Sequence, residues 1–305
     1  MNKGCPVKPG QSFSGAFMNK FKQHYIFISP SIIVLVIIVI FPTLFLYYMS
    51  MTNYDLSLGW QAKKFVWFNN YSYLFFKDPL FWKSFLITIL FVISTVASEF
   101  VLGMFVALGL NEIHLGRRFL LSLIIIPMVC TPSIIGLMWK LIFNTEYGVA
   151  NYLLRLVGLS NVNWLGTSMA LISVIIVDIW EWTPFMVLML FAALQSISEE
   201  PIEAARVDGA SNSQIFFYIT LPMIRRIALI ALTLRLVDSF KIFDIIYALT
   251  QGGPGSATEV FSMRIFRIGF QHTNWIGRAS AYAVIIILVL SPLFSRFTKL
   301  VRNND

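Results

Sequence analysis

Six apolar blocks alternate with polar connections along the chain, with approximate cores at 27–49, 85–110, 119–142, 169–194, 224–249 and 278–298. Each is long enough to cross a bilayer, which takes about 20 apolar residues at helical rise. The pattern predicts an all-α membrane protein with six transmembrane helices. An even number of crossings puts both termini on one side. On this reading residues 1–25 are a polar arm, 26–300 the six-helix domain and 301–305 a short tail. The first block lacks a small-residue cleavage site and reads as an uncleaved span rather than a signal peptide. Between the third and fourth blocks, the run Tyr152–Leu159 is too short to cross and reads as a surface or partner-facing segment.

The longest polar run between two apolar blocks is Glu199–Pro222, EEPIEAARVDGASNSQIFFYITLP. Ser198 is positioned to cap a helix whose first turn holds Glu199, Glu200 and Pro201. Carboxylates suit a helix N-terminus, and the N–H that proline lacks is unpaired there anyway. Asp208-Gly209 should end that helix, since glycine readily takes the left-handed cap conformation. Ser211 and Gln214 have capping-box spacing for a second short helix. Pro222 should end the second helix, because proline disfavours helical geometry in Leu221 before it. The stretch 198–222 therefore predicts a short polar helix–turn–helix on one face of the membrane.

Of the 305 residues, 57% are hydrophobic and 12% charged, with a net charge of +8. Soluble domains carry about 25% charged residues, so much of this surface faces something other than water. The Lys and Arg are scattered between apolar blocks, with no basic arm interleaved with aromatics. That excludes a nucleic-acid footprint and fits lipid headgroups. With the N-terminus inside, twelve Lys and Arg flank the spans internally and eight externally. Arg117-Arg118 and Arg225-Arg226 sit where spans meet the inner surface. This favours cytoplasmic termini and places 198–222 in the cytoplasm. Trp60, Trp67, Tyr71, Tyr73 and Trp82 in the outer loop 51–83 read as an interfacial aromatic belt.

Two cysteines, Cys5 and Cys130, and three histidines provide no disulfide framework and no metal-ligand cluster. No phosphate-cradling G-x-x-x-x-G-K-[ST] occurs, and no nucleophile–base pair or HExxH stands out. Neither catalysis nor ATP binding by that loop is expected of this chain, and no cofactor or metal is expected on it.

Charges inside the apolar blocks are expensive, at least about 3 kcal/mol each at mid-membrane. Asp178 and Glu181 lie in the fourth block, and Arg235, Asp238, Lys241 and Asp244 in the fifth. The latter follow i, i+3, i+6, i+9 on a helix, so either they form a self-neutralising ladder or they line a solute path. Phe240, Phe243, Asp244 and Tyr247 should share a face, as should Asp178, Glu181, Trp182, Phe185 and Met189. Rings beside carboxylates suit a sugar, whose C–H faces stack and whose hydroxyls donate. Core packing is the competing reading.

Two motifs carry a resemblance. Glu203-Ala204-Ala205, Gly209 and Ile219-x-Leu221-Pro222 resemble the complete EAA loop of ABC-importer permease subunits. The run Arg235 to Pro254, including Asp238, Phe243, Asp244, Tyr247 and Gly252-Gly253-Pro254, is similar to a signature of binding-protein-dependent carbohydrate importers, in the maltose-type first permease subunit. Gly269-Phe270 and Gly277-Arg-Ala279-Ser-Ala281 are similar too. The resemblance covers residues 25–300 and implies a type I ABC importer permease in the bacterial plasma membrane, with 198–222 as a cytoplasmic coupling helix. It further implies a second permease subunit forming a heterodimer, a cytoplasmic ATPase dimer that carries ATP and Mg, and an extracytoplasmic solute-binding protein. The cargo would be an oligosaccharide, a polyol or a sugar phosphate. Glu203, Ala204, Ala205, Asp208, Gly209, Ile219, Leu221 and Pro222 would couple to the ATPase. Asp178, Glu181, Trp182, Phe185, Asp238, Phe240, Phe243, Asp244 and Tyr247 are the substrate-path candidates. Two alternatives stand beside this reading: an ion-coupled secondary transporter using the intramembrane carboxylates, and an ABC permease for a non-sugar solute.

Overall fold

A computed structural model describes residues 28–271 and 275–302. The arm 1–25 and the last residues of the tail lie outside the described residues. The long helices are α1 (Ile28–Ser50), α3 (Phe81–Glu112), α7 (Ala170–Gln195), α9 (Asn212–Ser239) and α12 (Ile276–Arg302). Shorter ones are α2 (Asn69–Phe76), α4 (Arg117–Val129), α5 (Pro132–Ile142), α6 (Val149–Leu156), α8 (Glu200–Val207), α10 (Asp244–Leu249) and α11 (Phe261–Phe266). Among the described residues the only β pairing is an isolated bridge between Thr52 and Phe65. The five long helices are each long and apolar enough to cross a membrane, and α4 with α5 together has the length and composition of a sixth, though bent.

Two of the six blocks are broken rather than straight. The third bends by 93° between α4 and α5. Cys130 and Thr131 are extended there, at ψ 149° and 129°. The residue before a proline is pushed out of helical space, and proline then opens the next helix without losing a bond. The fifth block is the second correction. It is not one helix from 224 to 249, because α9 stops at Ser239 and α10 starts at Asp244. Phe243 between them is non-helical, at φ −141° and ψ −53°. The carbonyls freed at such a break need partners where water is scarce. The Ile242 carbonyl accepts from the Ser262 hydroxyl.

Helix α3 packs along α7, and α5 against α10. Lipid tails are as apolar as the side chains, so close packing rather than water exclusion holds such helices together. A Cβ at Gly103 would lie 2.6 Å from Met186 Cβ, and one at Gly136 would lie 2.7 Å from Ala248 Cβ. Both glycines therefore set the helix separation. The shared core includes Phe91, Val174, Val177, Met186, Ala231 and Ile246, all buried. The faces turned away from it are strongly apolar, as with Ile38, Phe41, Ile93 and Phe105, which suits lipid. In the outer loop, Trp60, Trp67 and Trp82 are exposed as a belt requires, whereas the Tyr71 hydroxyl is tied to Ser50 Oγ at 2.7 Å.

Candidate functional site

Two features stand out, one at an end of the bundle and one inside it. At the end, α8 and the start of α9 form the polar elbow. Helix α8 begins at Glu200, and Glu199 rather than Ser198 is the N-terminal flanking residue, with no side-chain cap. Its C-terminus closes as expected. Gly209 is left-handed at φ +82°, the Ala210 N–H reaches the Ala205 carbonyl at 2.9 Å, and the Gly209 N–H reaches Arg206 at 3.1 Å. That is a complete Schellman closure. The Ser211–Gln214 capping box forms in both directions.

Beyond it the expectation fails. Pro222 does not end the second helix, since Leu221 is helical at φ −63° and ψ −42° and the chain continues to Ser239. The accommodation is a π-helical turn, Phe216–Thr220, immediately before the proline. A proline ring clashes with the carbonyl four residues back, and widening the turn moves that carbonyl aside. The second helix of the elbow and the start of the fifth span are thus one helix. Ile215 and Thr220 are buried towards the bundle, where Phe216 and Leu221 pack on Leu190, Ala193 and Ile224. Glu203, Ala204, Asp208, Gly209 and Pro222 are exposed, while Ala205, Ile219 and Leu221 are half-buried. Val207 and Tyr218 project furthest, at 87% and 78% exposure.

Inside the bundle, the break after Ser239 opens a cavity of about 190 Å³ lined by Asp178, Trp182, Arg235, Asp238, Lys241, Phe243 and Asp244, among others. Arg235 is its fixed point and is fully buried. Its Nε and Nη2 donate to the two Glu99 oxygens at 2.6 and 2.9 Å. Nη2 also donates to Asp178 Oδ2, and Nη1 reaches Asp238 Oδ2 at 3.4 Å. The guanidinium lies 4.8 Å from the Trp182 ring centre. Lys241 meets Asp238 at 3.6 Å near solvent. The planar fork of an arginine suits this two-carboxylate grip, which a lysine could not reproduce.

The fifth-block ladder holds only in part, since Asp238 pairs with both Arg235 and Lys241. The main partners of Arg235 come from α3 and α7, and the helix break removes Asp244 from the register. Phe240 does not share a face with Phe243 and Tyr247. It is buried beside Phe85, Phe261 and Ile286 in a separate apolar pocket. Phe243 and Tyr247 do stack, with ring centres 5.4 Å apart, and Phe266 lies 5.1 Å from Phe243. Phe185 is half-buried against the core, 6.3 Å from the Trp182 ring. Glu181 is buried, and its Oε2 has no hydrogen-bond partner.

Glu99 was missed by the sequence reading, although a signal existed. It is the sole charged residue between Lys83 and Glu112. A lone carboxylate in an apolar span needs a partner. Among the described residues no group of three potential metal ligands occurs.

Residues 99–303 match the model of the family described as "Binding-protein-dependent transport system inner membrane component". The trehalose/maltose transport system permease protein MalF of Thermococcus litoralis is 38% identical over 272 residues, which covers 88% of this chain and 90% of that protein. The sulfoquinovosyl glycerol transport system permease protein SmoG of Agrobacterium fabrum is 32% identical over 280 residues, covering 91% of this chain and 90% of that one. Among solved structures, a bacterial ABC transporter involved in the import of the acidic polysaccharide alginate aligns with a TM-score of 0.80 at 22% identity. That alignment covers 96% of this chain and 99% of the other, and it bears on the fold.

Proposed function

The chain belongs to the family of binding-protein-dependent transport system inner membrane components, and from that premise we propose that it is one permease subunit of an ATP-driven sugar importer. The reading rests on one observation above all: a helix break beside a buried charge cluster leaves rings and carboxylates around a cavity within the spans. Asp178, Trp182, Asp238, Phe243 and Asp244 line that cavity and are the proposed solute-facing groups, with Tyr247 behind Phe243. Glu181, Phe185 and Phe240 are better assigned to support than to contact, because each is buried or half-buried and none lines the cavity. Sugar hydroxyls would donate to the carboxylates while C–H faces stack on Phe243 and Trp182. Relatives named for trehalose/maltose and sulfoquinovosyl glycerol support a sugar-like cargo.

The proposed assembly is a heterodimer with a second permease, carried by a cytoplasmic ATPase pair that binds ATP and Mg and fed by an extracytoplasmic solute-binding protein. The termini and the elbow are then cytoplasmic and the remainder spans the plasma membrane, with the domain limits given above. Glu203 is proposed to meet a basic group of the ATPase, while Ala204 and Ala205 allow close approach and Gly209 fixes the bend. Closure of the ATPase would move the elbow as a rigid body and switch access to the cavity.

The test is uptake by proteoliposomes holding both permeases, the ATPase pair and the binding protein. Uptake of a labelled di- or trisaccharide should require internal ATP and all subunits. Uptake by this chain alone, driven by a proton or sodium gradient, would overturn the reading. Binding of a polyamine without binding of any sugar would reject the cargo class.

A further inference from the structure

The end of the bundle opposite the elbow holds a second charged cluster that the solute path does not use. Gln195 Nε2 donates to Asn111 Oδ1 at 2.6 Å, so the C-terminal ends of α3 and α7 lie together on the elbow side. Asp78 precedes α3, and Arg278 lies in the first turn of α12, both at the other end. Asp78 accepts from Arg264 Nη2 at 2.9 Å to each oxygen and from the Tyr282 hydroxyl at 2.7 Å. Glu259 accepts from Arg264 Nη1 at 3.1 Å and from Arg267 Nη1 at 2.5 Å. Burial works most strongly against the charge on Arg264, but its interactions with Asp78 and Tyr282 together outweigh this and raise its pKa above the usual arginine value.

The charges in this cluster do not balance. Three guanidinium groups face two carboxylates, and Arg278 is the one left over. It lies 3.6 Å from the ring centres of both Tyr73 and Trp275, and no described carboxylate forms an ion pair with it. Asp55 lines the adjoining hollow, but it accepts hydrogen bonds from the N–H and hydroxyl of Ser57 instead. A cation in the first turn of a long helix also opposes the helix dipole, whose N-terminal end favours anions. The hydrogen-bond inventory points the same way. Arg264 Nε, Arg267 Nε and Arg278 Nη1 are buried and have no partner. All three side chains line one cavity of about 120 Å³, with Tyr73, Asp78 and Trp275. A buried charged donor without an acceptor is costly, and such sites are normally filled.

We propose that this cavity binds a small free oxyanion, of the carboxylate or phosphate type, held by Arg278 with the unpaired N–H groups of Arg264 and Arg267. One negative charge would balance the third arginine, and the planar guanidinium fork matches such oxygens. The bound anion would join α2, α11 and α12 at the end of the bundle away from the elbow.

The test uses the purified, assembled transporter titrated with sodium acetate or sodium phosphate against chloride at constant ionic strength. The readouts are the apparent melting temperature and the tryptophan emission, which reports Trp275 against Arg278. At least one of the two anions should give a saturable emission change and a stabilisation of about 5 °C at a hundredfold excess over Kd. Arg278→Gln should abolish both. Should that variant not assemble, Arg278→Lys keeps the charge without the fork and should raise the midpoint concentration about tenfold. The proposal is overturned if neither anion gives a saturable response, if Arg278→Gln responds like the natural chain, or if Arg278→Lys leaves the midpoint unchanged.

Discussion

Replacing Arg235 by methionine is the sharpest probe of the buried charge cluster. The substitution keeps most of the side-chain volume and removes every donor. Glu99 then loses both of its short bonds, and Asp178 loses its bond to the guanidinium Nη2. Glu99 is fully buried, at 0% exposure, and does not line the cavity, so water cannot take over its two bonds. Breaking a buried pair by removing one partner costs about 3–5 kcal/mol. At roughly 2–4 °C per kcal/mol, the melting temperature of the assembled transporter should fall by about 6–20 °C. The reasoning also makes a claim about rescue, because the damage comes from unpaired charge rather than lost packing. Glu99→Gln with Asp178→Asn in the Arg235→Met background should recover most of the loss, since neutral replacements of a buried ionic cluster are often tolerated. Thermal unfolding followed by fluorescence-detected size exclusion reads both effects. A drop below about 2 °C in the single variant, or a triple variant no more stable than the single, would refute the assignment of Arg235 as the neutralising centre.

Three further outcomes follow from the geometry. Gly209→Val forces a β-branched residue to φ +82° with nothing near its Cβ, so its effect is backbone strain of about 1–2 kcal/mol confined to the elbow. Insertion and assembly should persist while ATP hydrolysis and uptake become uncoupled, as read by phosphate release alongside labelled-sugar uptake; coupled transport at the natural rate would exclude a coupling role. Gly103→Val would meet Met186 Cβ at 2.6 Å and should lower stability by about 1–3 kcal/mol through helix separation, seen as a lower melting temperature. Phe243→Ala should weaken sugar uptake about fivefold to tenfold while leaving basal ATPase activity in place, the loss expected for one stacking ring; an unchanged transport KM would remove Phe243 from the solute path.

The elbow was the most legible part of the chain, because its signals are local. A Ser–Gln pair three apart and a glycine after a helical stretch each dictate one backbone geometry, and both geometries occur. The failures came where a local rule met a tertiary alternative. Proline at 222 predicts a helix end, yet a widened turn at Phe216–Thr220 lets the helix pass. The block 224–249 has the hydropathy of one span, and hydropathy does not register a break at residues 240–243, where the Ile242 carbonyl is satisfied by Ser262 of another helix. The charges of the fifth block invited pairing within one helix, since only same-helix spacing is visible in a sequence. Asp238 does pair at that spacing with Arg235 and Lys241, but the closest partners of Arg235, Glu99 and Asp178, lie 136 and 57 residues away in the chain.

The unbroken passage of α9 through Pro222 has a mechanical consequence. A loop at that proline would have acted as a universal joint and dissipated any push on the elbow. A single rod cannot do so. From Asn212 to Arg235 it extends about 35 Å at helical rise, so a tilt of about 5° at one end sweeps the other by about 3 Å. The capped Asn212 end and the salt-bridged arginine near the other end are therefore opposite arms of one lever.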